Sequence, residues 1–392
     1  MNFCGIICEF NPFHNGHEHL ITQVKQQTGN DVICLMSGDF VQRGTPAIED
    51  KYERAKKAIL AGASAVLELP TFFACSNAEN FAYGAIKIFK ALNIKHLAFG
   101  IENTNLEILQ KVAKLKFENS IQFKTAFKNE IQNGINFNTA LKRSIAKSLN
   151  DDSLLDVLNK PNNILAIEYL TAMLKLNHNM EVFAIERTDN GYNSYIANNK
   201  FISASAIRSM ISQNENYESF VPPFAKITKP FSALHNLIFE NHLILKIKQS
   251  SEKELSNLYD YTEGIEYRIK KASQANGNLN DIIEAVATPR YRIPRVQKLL
   301  LYPLLSINKN IAKSTTSSKS VSKVLAINKN NKQLISTYNK NKITLIVTNK
   351  DYNLLNSYQK KIIDIDLKAS ELYNTITNSP EKSDKKIGTI FL

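Results

Sequence analysis

The chain has 392 residues, 43% of them hydrophobic and 22% charged, which is enough for a large core spread over two or three domains. No run of eighteen or more apolar residues occurs, and the N-terminus enters an apolar strand pattern without a basic leader. A membrane span and a signal peptide are therefore not expected, and a cytoplasmic protein is. The formal net charge of +13 points to phosphate-rich partners.

Residues Phe3 to Cys8 form a continuous apolar run suited to a buried parallel strand, and Pro12 and Gly16 punctuate the loop behind it. A helix is expected to start near Gly16 or His17, which sets His14 and His17 three apart at its positive end. Unpaired backbone N–H groups and two imidazoles there suit triphosphate oxygens. The plain alternative is a pair of surface histidines in a polar loop. Asp31 to Met36 reads as a second strand, followed by the loop Ser37-Gly38-Asp39-Phe40-Val41-Gln42-Arg43-Gly44. Its glycines permit backbone close to a ligand, and Gln42 and Arg43 suit a carboxylate or an RNA group, or simply an exposed polar loop. In the helix expected over Lys51–Ala61, Lys51, Arg54, Lys56 and Lys57 read as a solvated face.

Ala65 to Leu69 reads as a third strand, Asn77 to Leu92 as a helix, and Lys95 to Phe99 as a fourth strand ending at Gly100. The alternation predicts a doubly wound parallel sheet, with His14, Ser37 and Gly100 converging on one crevice at the carboxyl ends of the strands. Helical sequence fills about 105–150. Pro161-Asn162-Asn163 opens another helix, and Glu181 to Ile185 is a fifth strand leading into Arg187. Ser203-Ala204-Ser205-Ala206-Ile207-Arg208 then offers hydroxyls and an arginine at a helix start, either for phosphate or as a plain cap.

Pro222, Pro223 and Pro230 mark a break, giving expected divisions at 1–220, 221–306 and 307–392. The middle division reads as helical. In the last, Val324–Ile327 and Ile343–Val347 read as strands and Leu367–Tyr373 as a short helix, a small α/β appendage. No acidic residue occurs between Glu284 and Asp351, so this one-signed block is the best candidate for nucleic-acid contact. Within it, Arg290, Tyr291, Arg292 and Arg295 suit phosphate contact with base stacking, or a helix end bearing basic residues. Cys4, Cys8, Cys34 and Cys75 read as buried reduced thiols, and no metal-ligand spacing is present.

The strings Glu9–His17, Met36–Gly44 and Lys160–Leu165 together resemble one bacterial family, the tRNA(Met) cytidine acetate ligases of the HIGH nucleotidylyltransferase superfamily. The resemblance implies an ATP-dependent ligase that forms acetyl-adenylate, releases pyrophosphate and acetylates N4 of the wobble cytidine of elongator tRNA(Met). It implies catalytic roles for His14, His17, Ser205 and Arg208. ATP contacts are implied along Ile7-Cys8-Glu9-Phe10-Asn11-Pro12-Phe13-His14-Asn15-Gly16-His17-Glu18-His19-Leu20 and at Gly100, at one of Asn162 and Asn163, and at Arg187. Arg43, Arg290, Arg292 and Arg295 are expected on the tRNA, acetate is the second substrate, and magnesium is expected with ATP but with no dedicated carboxylate cage. Ala204 departs from the usual serine of the superfamily, which puts one hydroxyl contact in doubt. Two competing classes are a nucleotidylyltransferase that adenylates a small phosphorylated metabolite and a non-catalytic RNA-binding protein that retains nucleotide binding.

Overall fold

The first three strands are built mostly of apolar residues because the sheet they form is covered on both faces. The computed structural model describes residues 2–135, 137–186, 201–315, 319–338 and 340–392. β1 (Phe3–Cys8), β2 (Asp31–Ser37), β3 (Ala65–Leu69), β4 (His96–Ile101) and β5 (Glu181–Glu186) run parallel in the spatial order β5–β4–β1–β2–β3. The chain steps outward from β1 to β3, crosses to the other side of β1 and steps outward again. The β1–β4 boundary is therefore the switch point of a doubly wound α/β sheet, where ligands bind at the carboxyl ends. Each strand lies within two residues of the position its sequence pattern predicts.

Helices cover both faces. α1 (Asn15–Thr28) and α2 (Lys51–Leu60) pack Ile21, Val24, Tyr52 and Ala55 against Ile6, Cys34 and Val66. On the opposite face, helices Ala78–Ala91 and Pro161–Lys175 lay Phe81, Ile88, Ile167 and Leu170 over Ile33, Leu35 and Leu97. All four cysteines are free and buried, and burial pushes the Cys4 thiol up to about 12.

The middle region is helical, from Ala233–Gln249 to Ile293–Leu305, and it shares the core of the second face. Phe239 meets Phe40 at 5.7 Å between ring centroids, and the Tyr302 hydroxyl donates to the Cys75 carbonyl at 3.0 Å. The tail departs from its expected form. β6 (Ser320–Ile327) pairs antiparallel with β3, while β7 (Ile343–Ile346) and β8 (Ile390–Phe391) pair parallel with β6. The 307–392 segment is thus α/β, but its strands extend the N-terminal sheet instead of standing apart from it. An apolar edge at β3 would otherwise be an open template for pairing. The helix expected over Leu367–Tyr373 runs Ser357–Ile376, since Ile362, Ile363, Ala369, Tyr373 and Ile376 carry one buried stripe through it.

Candidate active site

Beyond Cys8 the chain turns through Glu9–Phe13, with Phe10 at φ 48° and a cis Asn11–Pro12 bond. The rings of Phe10 and Phe13 are buried and meet edge-on at 4.9 Å, so this loop has a small core of its own. α1 begins at Asn15, just ahead of the expected start, because His14 caps it: its Nδ1 accepts from the Gly16 N–H at 3.1 Å. His17 Nδ1 in turn accepts from the His14 N–H at 3.3 Å, a reciprocal capping box built from imidazoles. The two rings stack at 3.6 Å between centroids. With both Nδ1 atoms accepting, each neutral ring carries its proton on Nε2. A Cβ at Gly16 would lie 3.0 Å from the His14 ring, so a side chain there would press on the imidazole cap.

The second motif docks on the first. Ser203 caps the helix Ala204–Ser212 by accepting from the Ala206 N–H at 3.2 Å, and the Ser203 and Ser205 hydroxyls lie 3.0 Å apart. Ile207 is buried in the same cluster as Phe10 and Phe13, and Arg208 donates to the Asn11 carbonyl.

On the other side of β1, Gly100 lies on β4 opposite Ile185. Asn163 is fully buried: its Nδ2 donates to the Glu102 carbonyl at 2.8 Å and its Oδ1 accepts from the Glu102 N–H at 2.9 Å. Its amide is consumed in fixing the β4 exit. Asn162 is half-buried and donates to the Glu102 carboxylate, whose Oε2 is out of solvent with no hydrogen bond among the described residues. Sequence reasoning missed Glu102, although an acid directly behind the Gly100-Ile101 strand end was the available signal. Arg187 lies outside the described residues.

The Ser37–Gly44 loop is stitched to the β1 exit. The Glu9 carboxylate accepts from the Gln42 N–H at 2.8 Å, and Asn11 Oδ1 accepts from the Ile48 N–H at 2.7 Å. Its glycines serve packing within the chain. A Cβ on Gly38 would lie 2.2 Å from Glu68 Oε1, and Gly44, at φ 75°, sits against the Lys298 backbone.

α2 overturns the expectation of a solvated face: Lys51, Arg54 and Lys57 are all buried, while Lys56 is exposed enough to pair with Glu53 at the surface. Lys51 Nζ donates to Glu68 at 2.8 Å and Asp384 at 2.7 Å, with Asp39 at 3.6 Å. Lys323 and the Tyr52 hydroxyl join the same cluster through Asp384. Burial, against the pull of Lys51, pushes the Glu68 carboxyl up to about 8. For Asp384 burial also raises, but Lys51 and Lys323 outweigh it and hold the carboxyl below its ordinary value. The signal was in the sequence: at 100° per residue Lys51 falls between Ala58 and Ala55, inside the apolar arc.

Two of the four expected RNA-contacting arginines are paired with acids. Arg290 pairs with Glu263, and Arg295 grips Asp260 through two bonds of 2.9 and 2.8 Å while lying 4.5 Å over the Tyr291 ring. Tyr291 is 7% exposed and its hydroxyl donates to the Thr262 carbonyl, so it is no platform for a base. Arg292 is exposed at the N-cap position of the helix Ile293–Leu305, and Arg43 is exposed on the loop whose Gly44 packs against that helix. Burial, then the charge of Arg292, holds the nearby Lys142 ammonium below its ordinary range.

A family model described as HIGH Nucleotidyl Transferase matches residues 1–387. The chain belongs to this family. Within the HIGH nucleotidyl transferases, a Thermoanaerobacter protein named tRNA(Met) cytidine acetate ligase is 35% identical over 95% of this chain and 95% of its own. The protein of the same name from Clostridium perfringens is 32% identical over 97% and 96%. A crystal structure of Thermotoga maritima TmcAL bound with alpha-thio ATP superposes with a TM-score of 0.90 at 26% identity, covering both chains completely. The apo form of that protein gives a TM-score of 0.91. The fold is therefore that of a HIGH-family enzyme, and it is shared with a protein solved with an ATP analogue bound. Among the described residues, no helix is long and apolar enough to cross a membrane.

Proposed function

We propose that this chain activates acetate with ATP and transfers the acetyl group to N4 of the wobble cytidine of elongator tRNA(Met). An acetate oxygen attacks the α-phosphorus, the bond to the bridging oxygen breaks and pyrophosphate leaves. The cytidine amine then attacks the acyl carbon of acetyl-adenylate, AMP leaves on its carboxyl-side oxygen, and the amine proton passes to solvent. Neither step needs a covalent enzyme nucleophile, so positioning and charge neutralisation carry the catalysis. The observation that most supports this reading is Arg208 docked on the Asn11 carbonyl beside the stacked His14 and His17 rings. Imidazole N–H groups, the α1 N-terminus, Ser205 and Arg208 would together meet charge developing on the departing phosphates.

The adenosine would lie across the β1–β4 switch point, against Gly100, with Asn162 as its contact in preference to Asn163, whose amide is spent on the Glu102 backbone. The Glu102 carboxylate, an acceptor only, would take a ribose hydroxyl. Arg187, at the position the family pattern marks, completes the proposed nucleotide set. Among the described residues no group of His, Cys, Asp or Glu side chains converges to hold a metal ion. Arg43 and Arg292 would meet the tRNA backbone, with Arg290 and Arg295 contributing less because acids already balance them. Residues 1–220 with the strands of 307–392 would form the ATP-binding body, and 221–306 the helical tRNA face.

Incubation with ATP, isotopically labelled acetate and elongator tRNA(Met), followed by nucleoside analysis, tests the proposal. Labelled N4-acetylcytidine made by the wild type and lost in His14→Ala is the expected result. Acetate-dependent pyrophosphate release without label in the tRNA would reject the acceptor.

A further inference from the structure

Arg54 heads the fully buried side chains of the described residues by size, and none of the steps above uses it. A guanidinium taken out of water is tolerable only when its fork of donors is satisfied. Here the acceptors among the described residues are all main-chain carbonyls. Nε donates to Glu49 at 2.9 Å, Nη1 to Glu9 at 2.6 Å and to Ser37 at 3.1 Å, and Nη2 to Gly38. The register of β1 and β2 sets Cys8 beside Met36, so Glu9 and Ser37 are the next pair beyond the ladder. One nitrogen of Arg54 spans them and closes the rung that the strands themselves leave open.

Those carbonyls begin the two loops that matter. Glu9 opens the segment leading to His14 and His17, and Gly38 opens the loop carrying Gln42 and Arg43. The other stitches between them, Glu9 to Gln42 and Asn11 to Ile48, join one loop to another. Arg54 instead reaches in from a helix whose start is fixed by the Asp50 cap and by Lys51 in its ion cluster. We propose that Arg54 is a positioning residue that sets the spacing between the triphosphate loop and the Ser37–Gly44 loop, and so the alignment of the attacking carboxylate with the α-phosphorus. This rests on the adenylation reading above. Lysine keeps the charge but cannot reach four carbonyls from one point.

The test uses the full-length Arg54→Lys and Arg54→Met variants, assayed below the melting temperature of each. Affinity for a non-hydrolysable ATP analogue is measured by calorimetry, and kcat and KM for acetate by acetate-dependent pyrophosphate exchange. The expected result is nucleotide affinity held within about threefold while kcat falls on the order of 10²-fold in both variants, with Arg54→Lys giving no rescue. A merely structural role would lower the melting temperature and leave kcat of the folded enzyme alone. Wild-type kcat in Arg54→Lys, with any loss in Arg54→Met tracking its folded fraction, would overturn the inference by itself. A wild type without acetate-dependent exchange would overturn the adenylation reading along with it.

Discussion

Two basic stretches of this chain meet opposite fates. The Lys51–Lys57 stretch of α2 has the composition of a solvated helix face and is built into the interior. The Arg290–Arg295 stretch, the heart of a one-signed block, stays near the surface but is balanced by Asp260 and Glu263. Compensation comes from outside the basic run in both cases: Glu263 and Asp260 lie 27 and 35 positions from their arginines, and Asp384 lies 333 positions from its partner Lys51. Charge runs report only neighbours in sequence, whereas Coulomb attraction and desolvation act on neighbours in space.

The comparison breaks hardest at Lys51. Lys51→Met leaves Glu68, Asp39 and Asp384 buried around a missing cation, and removing one partner of a buried ion group costs about 3–5 kcal/mol. Urea unfolding should show that loss. The surface control Lys56→Met, five residues along the same helix, should shift stability by less than about 0.5 kcal/mol. Equal effects from the two would mean that the buried cluster does not hold together as described.

At the site itself, His14→Ala removes both a donor toward the phosphates and the cap of α1. Acetate-dependent pyrophosphate release should fall on the order of 10²–10³-fold, with a stability loss of only about 1 kcal/mol from the cap. A large loss of stability with little change in the folded enzyme's rate would make the histidine a cap alone.

The cluster under α2 also sets a pH dependence. Glu68 titrates near 8 in the folded chain and near 4.5 as an ordinary side chain, so between those values the folded state holds a proton that the unfolded state has lost. Its contribution is fully present below the lower value and disappears as pH rises through the upper one. Asp366, pushed by burial to about 7, acts in the same direction over a narrower window. Asp384, held low by its lysines, acts in the opposite sense and loses its contribution as the solution becomes acidic. Denaturant melts from pH 5 to 8 should show stability falling by at most about 1.4 kcal/mol per pH unit for each raised carboxyl. Glu68→Gln should flatten that slope.

The parallel strands and the His14–His17 element were legible because their determinants are local: unbroken apolar runs, a loop with Pro12 and Gly16, and imidazoles three apart. Ser203 as a cap was legible for the same reason. The attachment of β6 to β3 was not, because pairing across about 260 positions, as between Val66 and Ala326, leaves no periodic trace in either strand. Tyr291 shows the same limit on a smaller scale. Its flanking arginines suggest a nucleic-acid platform, yet Arg295 covers its ring and Thr262 takes its hydroxyl. Glu102 is intermediate, since its position behind Gly100 was visible and its grip by two asparagines was not. With Glu102→Gln, the discrimination between ATP and an analogue lacking a ribose hydroxyl should shrink by roughly the 1 kcal/mol of one hydrogen bond. Unchanged discrimination, read by calorimetry, would remove Glu102 from the nucleoside site.

The finest distinction separates Arg43 from Arg295. Both are basic, and both stand on elements that meet where Gly44 packs on the Ile293–Leu305 helix. Arg43 is exposed and has no ion pair among the described residues, whereas Arg295 already spends its fork on Asp260. A free guanidinium that neutralises one phosphate releases about one counterion, so Arg43→Ala should reduce the slope of log K against log salt by roughly 0.7–0.9. Arg295→Ala should reduce the slope by much less, because it removes no phosphate contact and adds only the screened repulsion of the exposed Asp260 carboxylate. Its affinity should still drop at low salt, and that drop should vanish in the double variant Arg295→Ala, Asp260→Ala. If Arg295→Ala instead lowers the slope as much as Arg43→Ala does, the tRNA displaces Asp260 on binding, and the one-signed block of the sequence is restored in the complex.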